Sequence, residues 1–100
     1  MIHIGKNAQN NWELIDRAQQ NDIWFHIENE PSCHVIIESN NNIIPKNIIY
    51  KAALECKKHS KFKKLNNISI IYTPIHNIKK GVDIGSVYII NHKLVKKVNA

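Results

Sequence analysis

The sequence predicts an α+β domain in which two helices pack on a mainly antiparallel sheet, in the order β-α-β-β-α-β-β-β. Two patterns carry this prediction: polar and apolar residues alternate over 22–28, and apolar residues recur at helical spacing over 45–60. The hydrophobic content is 43% of 100 residues, which suffices for one core. No internal repeat is present, so we expect a single domain over residues 1–100.

The N-terminal part begins with a short strand candidate, "IHI" at 2–4, and a loop rich in turn formers, "GKNAQNN" at 5–11. Asn10 or Asn11 can cap a helix that begins at Trp12. The sequence therefore predicts one strand, a loop and a first helix.

The middle of the chain predicts a hairpin followed by the second helix. Strands over Asp22–Glu28 and His34–Ser39 are joined by "NEPSC". Pro45 suits the first turn of a helix, and the apolar spacing supports a helix over 45–60.

The C-terminal part predicts three strands. The first covers 68–73 and ends at Pro74. "SVYII" and "KLVKKV" flank Asn91-His92, which predicts a second hairpin. "KLVKKV", at 93–98, has the lysines typical of a guarded edge strand.

Side-chain parity divides the first hairpin into two faces. Ile23, Phe25 and Ile27 should share the core face with Val35 and Ile37. The opposite face then carries an acid, an indole and two imidazoles, namely Asp22, Trp24, His26 and His34, together with Ile36 and Glu38.

Several interpretations of this polar face remain open. Two histidines with Asp22 or Glu38 could ligate a metal, but the sequence implies no third close ligand, so we predict no metal site. Histidine suits acid–base catalysis, but no nucleophile with its base is recognisable, so we predict no catalytic residue. The remaining interpretations are a structural polar layer and a recognition surface.

Composition narrows the class of protein. Fourteen Lys+Arg face eight Asp+Glu, which gives a pI of about 9.5 and a weak expectation of polyanion affinity. No stretch reaches the ~20 apolar residues of a membrane span, and we expect no signal peptide. Cys33 and Cys56 form no CxxC pair, so we expect a reducing, cytoplasmic setting without disulfides or zinc.

Four motifs in order carry a family resemblance. They are "GKNAQNN" at 5–11, "DIWFH" at 22–26, "PSCHVII" at 31–37 and "YTPIHNIKKG" at 72–81. Together they resemble the NFACT-R domain, the RNA-binding module of the ribosome quality-control proteins NEMF and RqcH. The likeness is strongest to the small solo form of the family, here expected without its coiled-coil tail.

The resemblance implies an α+β domain that binds RNA, near tRNA on the large ribosomal subunit in the large proteins. The resemblance places Gly5, Asn7, Asp22, Trp24, His26, Pro31 and His34 on motif positions of the family, and we expect all of these except Asn7 to form a rigid platform. It implies RNA as the partner, tRNA or rRNA, with DNA as an open alternative and the ribosome as a further partner. No cofactor is expected. Two departures are Ser32-Cys33, where the large proteins have Gly-Ser, and Ile75, where the solo form tends to have Trp.

Lysines are the candidate phosphate contacts. The densest cluster is "KKHSKFKK" at 57–64, in which Phe62 could stack on a base if it is exposed. Lys79 and Lys80 precede a Gly on a motif, and Lys6 leads toward a helix N-terminus. The candidate RNA-binding set is Lys6, Asn7, Lys57, Lys58, Lys61, Lys63, Lys64, Lys79 and Lys80.

The sequence therefore predicts a sequence-tolerant RNA-binding module that is not an enzyme. One alternative is a small RNA-processing or RNA-modifying enzyme that uses the face of His26 and His34. The other is a protein-interaction adaptor in which the basic surface is incidental.

Overall fold

The computed structural model describes residues 1–100 and confirms the α+β class, with two helices and mainly antiparallel strands in the predicted order. One further short strand, Ile78–Lys80, follows the strand over Ser69–Pro74. The elements are β1 Ile2–Ile4, α1 Ala8–Arg17, β2 Ile23–Ile27, β3 Val35–Ile37, α2 Lys46–Lys58, β4 Ser69–Pro74, β5 Ile78–Lys80, β6 Val87–Ile89 and β7 Lys96–Asn99. Short 3-10 turns cover Ile75–Asn77 and His92–Leu94.

Five strands form the main sheet in the order β1-β3-β2-β4-β7, and each neighbouring pair is antiparallel. β5 and β6 form a separate antiparallel pair. Trp24 lies opposite Ile36 and Phe25 opposite Val35, which is the register that side-chain parity predicted.

Each face of the main sheet has its own apolar core. On one face, α2 packs its buried Ala52, Ala53 and Cys56 against Phe25 and Ile70. On the other face, α1 contributes Leu14 to a smaller core with Trp24, Ile36, Ile75 and Ile78. The predicted polar face of the hairpin is thus covered in part by α1 and contributes Trp24 and Ile36 to this second core. No helix has the length and hydrophobicity that crossing a bilayer requires.

The predicted start of α1 was wrong by several residues. Asn7, not Asn10 or Asn11, is the N-cap, because its side chain accepts a hydrogen bond from the Asn10 N–H at 2.8 Å. The Gly5 N–H donates to the His34 carbonyl at 2.9 Å, which holds the entry to the helix beside the sheet. The helix therefore begins before Trp12.

The predicted hairpin around Asn91-His92 was also wrong. β6 pairs with β5, whereas β7 crosses to the main sheet and pairs with β4. The buried Asn77 side chain explains the separation, because it accepts from the Asn91 N–H at 2.8 Å and donates to the Asn91 carbonyl at 2.9 Å. These bonds occupy the backbone of Asn91, so this segment redirects the chain instead of closing a hairpin.

Candidate nucleic-acid interface

Three aromatic rings form a cluster on the α1 side of the first hairpin. The Trp24 and His26 rings stack, with centroids 5.5 Å apart and an interplanar angle of 11°. The His34 ring meets both edge-on, at 5.4 Å from Trp24 and 5.3 Å from His26. Trp24 and His34 are each only 2% exposed. The structure therefore makes this cluster a rigid packing unit, and Trp24 is not available to stack on a base.

Neither histidine of the cluster is charged at neutral pH. Burial, with the neighbouring His26 ring, lowers the pKa of His34 from 6.5 to about 3, while the Gly85 backbone acts in the opposite direction. Burial also lowers the pKa of His26. The His26 Nδ1 lies 2.7 Å from the Ile27 carbonyl, which can only accept, so Nδ1 carries the proton and Nε2 is left as an acceptor.

Asp22 has a structural position in this chain. Its carboxylate is 3% exposed and accepts two backbone hydrogen bonds, from the Gln19 N–H at 2.8 Å and the Ser39 N–H at 3.0 Å. It fixes the connection between α1 and β2 to the end of β3. On the α1 side of the sheet, the "DIWFH" motif thus contributes two buried residues, Asp22 and Trp24, and one partly exposed residue, His26.

Gly5 is required by its neighbour Asn11. A Cβ built on Gly5 would lie 1.7 Å from the Asn11 Oδ1 atom. The Asn11 side chain is 7% exposed and accepts a hydrogen bond from the His34 N–H at 3.2 Å. Sequence reasoning considered Asn11 only as a helix cap. Its place in the "GKNAQNN" motif was the signal in the sequence that could have identified it.

A large open groove lies beside this cluster. It runs between the N-terminal end of α1, the β2–β3 connection, residues 59–61 after α2 and residues 84–86 before β6, and has a volume of about 1060 Å³. We call it the groove. Four of the six predicted platform residues line it, namely Gly5, His26, Pro31 and His34.

The groove combines positive charge with the absence of carboxylates. Lys6, Asn7 and Lys61 of the predicted RNA-binding set line it, and its lining contains no Asp or Glu. Asn7 caps α1, so the partial positive charge of that helix end also faces the groove. Lys61 makes only a long contact of 3.9 Å with Glu30 and is 70% exposed, so its ammonium remains available. The groove is therefore suited to an anion.

The other predicted lysines lie outside the groove. Lys57, Lys58, Lys63 and Lys64 are not part of its lining. Phe62 is half-buried against the α2 core, with the Lys61 Nζ 5.2 Å from its ring centroid, so it is not free to stack on a base. Of the lysines in the cluster at 57–64, only Lys61 lines the groove, together with His59 and Ser60 of the same segment.

The two lysines of β5, Lys79 and Lys80, have different surroundings. The Lys80 Nζ lies 2.6 Å from the Asp16 Oδ1 and 5.3 Å from the Trp12 ring centroid, which ties β5 to α1. Lys79 is exposed opposite Tyr88, itself 52% exposed. An exposed aromatic beside a lysine is a second place where a nucleotide could bind, and sequence reasoning missed Tyr88.

The structure offers no arrangement of three or more His, Cys, Asp or Glu side chains around a common metal position. Both cysteines are free thiols. The hydrogen bond with Cys33, together with burial, raises the pKa of the Cys56 thiol, so Cys56 stays protonated at neutral pH.

Comparison with known proteins finds one matching family and several similar proteins. The family described as "NFACT protein RNA binding domain" matches residues 1–91. Coiled-coil domain-containing protein 25 of Danio rerio is 36% identical over 104 residues, covering 97% of this chain and 50% of the relative. The Rqc2 homolog RqcH of Bacillus subtilis is 35% identical over 80 residues, covering 79% of this chain and 14% of the relative.

A solved structure shares the fold over almost the whole chain. It is the C-terminal part of the fibronectin/fibrinogen-binding protein from Streptococcus suis, which superposes with a TM-score of 0.87 at 25% identity and covers 98% of this chain and 39% of that one. The chain spans about half the length of the relatives named coiled-coil domain-containing protein 25. On the family match and these identities, the chain belongs to the NFACT-R family of RNA-binding domains.

Proposed function

We propose that this domain binds RNA in the groove, mainly through phosphates and with little dependence on sequence. The observation that carries the proposal is a groove lined by Lys6, Lys61 and the N-terminal end of α1 and free of carboxylates. We further propose tRNA or rRNA as the target, in the cytoplasm and in the context of ribosome quality control, by analogy with the family and with RqcH.

Electrostatics favours a polyanion at this position. Each neutralised phosphate releases counterions, so lysines that reach the backbone supply binding that depends on salt rather than on base identity. The backbone N–H groups in the first turn of α1 that the Asn7 side chain does not cap add donors for phosphate oxygens. His26 and His34 are neutral, so they contribute no charge to the groove. Their rings form part of its wall, and the His26 Nε2 can accept a hydrogen bond.

A salt titration of tRNA binding by fluorescence anisotropy tests the proposal. We expect log Kd to change with log salt by about 0.9 per contacted phosphate on duplex and about 0.7 on single strands. Lys6→Gln with Lys61→Gln should flatten the slope by ~1–2 and weaken different RNA sequences equally. The matched control is Lys46→Gln with Lys51→Gln, because both are exposed on α2, outside the groove.

Two outcomes would contradict the proposal. One is an affinity that does not depend on salt, and the other is an equal loss in both double variants, which would make the charge non-specific. We also propose that the domain does not turn over RNA. Intact RNA after long incubation is expected, whereas cleavage abolished by His26→Ala would establish the enzyme alternative.

A further inference from the structure

The tip of the β5–β6 hairpin carries two bare aliphatic side chains. Val82 is 84% exposed and Ile84 is 59% exposed, with Asp83 between them. We call residues 81–85 the tip. Single exposed aliphatic residues are common on protein surfaces, but two in one turn beside a charged groove require a physical explanation.

Hydrogen bonds hold the tip in a fixed shape. The Gly81 N–H donates to the Ser86 carbonyl at 2.8 Å, and the Ser86 N–H donates to the Asp83 carbonyl at 2.9 Å. The indole N–H of Trp12 also donates to the Ser86 carbonyl, at 2.8 Å, which joins the tip to α1. The exposed aliphatic groups are therefore presented by a braced turn.

Close packing against α1 adds to this bracing. Gly85 has a φ of +90°, and a Cβ at this position would lie 2.8 Å from the Cβ of Ala8. Only glycine permits both the backbone angle and the approach to the first residue of α1. The tip thus stands at a fixed distance from the N-terminal end of α1.

The position of the tip beside the groove indicates what its side chains contact. Ile84 and Gly85 line the groove together with Lys6 and Asn7, whereas Val82 and Asp83, which precede Ile84 in the same turn, are not part of the lining. An RNA strand whose phosphates contact Lys6 would therefore bring its bases past Ile84. An aliphatic side chain that packs against a base face needs that face to be free of its stacking neighbour, and in a duplex this unstacking costs a few kcal/mol per step.

We propose that the tip is a wedge that contacts unpaired bases and makes the groove selective for single-stranded over double-stranded RNA. The proposal rests on the proposed function of the groove. In a duplex the base faces are covered by stacking, so Val82 and Ile84 would gain nothing there. On a single strand their burial adds affinity of about tenfold, corresponding to the removal of a modest apolar area from water.

The test compares one 12-nucleotide RNA, single-stranded and as a duplex with its complement, by fluorescence anisotropy at fixed salt. The wild-type protein should prefer the single strand. Val82→Thr with Ile84→Thr should weaken single-strand binding about tenfold and leave duplex binding and the salt slope unchanged. The control, Ile43→Thr with Leu65→Thr, alters two exposed aliphatic residues outside the groove and should bind like wild type.

A 2-aminopurine base in the single strand supplies a second readout, because its fluorescence should rise on binding to wild-type protein and not to the tip variant. Equal binding of both RNA forms by the wild-type protein would overturn the wedge and leave the groove proposal standing. Unchanged RNA binding by the tip variant would also overturn it and point to a protein partner for the tip. Failure of the wild-type protein to bind either RNA would refute the proposed function itself.

Discussion

Substitution of Gly5 by Ala should displace the Asn11 side chain, because the added Cβ would occupy the position of its amide oxygen. The new Cβ would lie 1.7 Å from the Asn11 Oδ1 and 2.9 Å from the Asn11 Cγ, so the carboxamide has to move. That movement removes the acceptor from the buried His34 N–H. A buried donor left without a partner lowers the free energy of unfolding by about 1–3 kcal/mol. The Ala variant also has a less flexible unfolded chain, which raises the free energy of unfolding by only about 0.4–1 kcal/mol.

The net loss should be about 1–2 kcal/mol of unfolding free energy, out of the ~5–15 kcal/mol typical of a domain. Asn11→Ala alone removes the same acceptor and should cost about 1–3 kcal/mol. The double variant should cost no more than Asn11→Ala, because the space vacated by the carboxamide accepts the new Cβ. The two losses should therefore be non-additive by about 1 kcal/mol or more.

Urea denaturation followed by Trp fluorescence measures all three variants. Gly81→Ala is the matched control, since its Cβ would meet the hydroxyl of the exposed Ser86, which can rotate away. It should cost less than Gly5→Ala. Wild-type stability of Gly5→Ala, or losses that add to within about 0.5 kcal/mol, would refute the reasoning.

Three further predictions follow from the same structure. Trp24→Ala should destabilise the domain by ~3–5 kcal/mol, because Trp24 is 2% exposed; a variant that melts like wild type but loses RNA would contradict its assignment as a packing residue. Because the pKa of His34 is lowered in the folded protein, the unfolded chain binds a proton below pH 6.5 that the folded chain does not. The free energy of unfolding should therefore fall as the pH drops from 6.5 toward about 3, by at most about 1.4 kcal/mol per pH unit. The urea midpoint of His34→Gln should depend less on pH than that of the wild-type protein. Lys79→Ala should weaken tRNA binding without changing the urea midpoint. Lys80→Ala should lower the free energy of unfolding by up to ~1 kcal/mol, because it removes the contact with Asp16. A stability loss in Lys79→Ala together with a binding loss in Lys80→Ala would contradict these roles.

Local patterns explain which parts of the fold were predictable. The alternation over 22–28 and the core positions at Val35 and Ile37 determine which side chains share a face, so the register of β2 and β3 followed from parity. The apolar spacing of α2 located the helix to within a few residues. The four motifs supplied the family and with it the expectation of RNA.

The prediction of the C-terminal strands failed because strand pairing is not local. "SVYII" and "KLVKKV" have the composition of a hairpin, but Asn77 binds the backbone of Asn91 and separates β6 from β7. Nothing in the composition of these segments records that contact across the fold. The N-cap of α1 was missed for a different reason: Asn7, Asn10 and Asn11 are all suitable cap residues, and the bond that makes Asn7 the cap, from the Asn10 N–H, is local.

The fold class, the two faces of the first hairpin, the second helix and the motif residues follow from the sequence, because periodicity and short motifs are properties of neighbouring residues. Which lysines line the groove, by contrast, depends on how the chain packs in three dimensions. Lys6 and Lys61 are 55 positions apart in the chain and line one groove, whereas Lys63 and Lys64 lie outside it. All thirteen lysines have the same chemistry, so their positions in space, which depend on how α1 and α2 pack on opposite faces of the sheet, distinguish one from another.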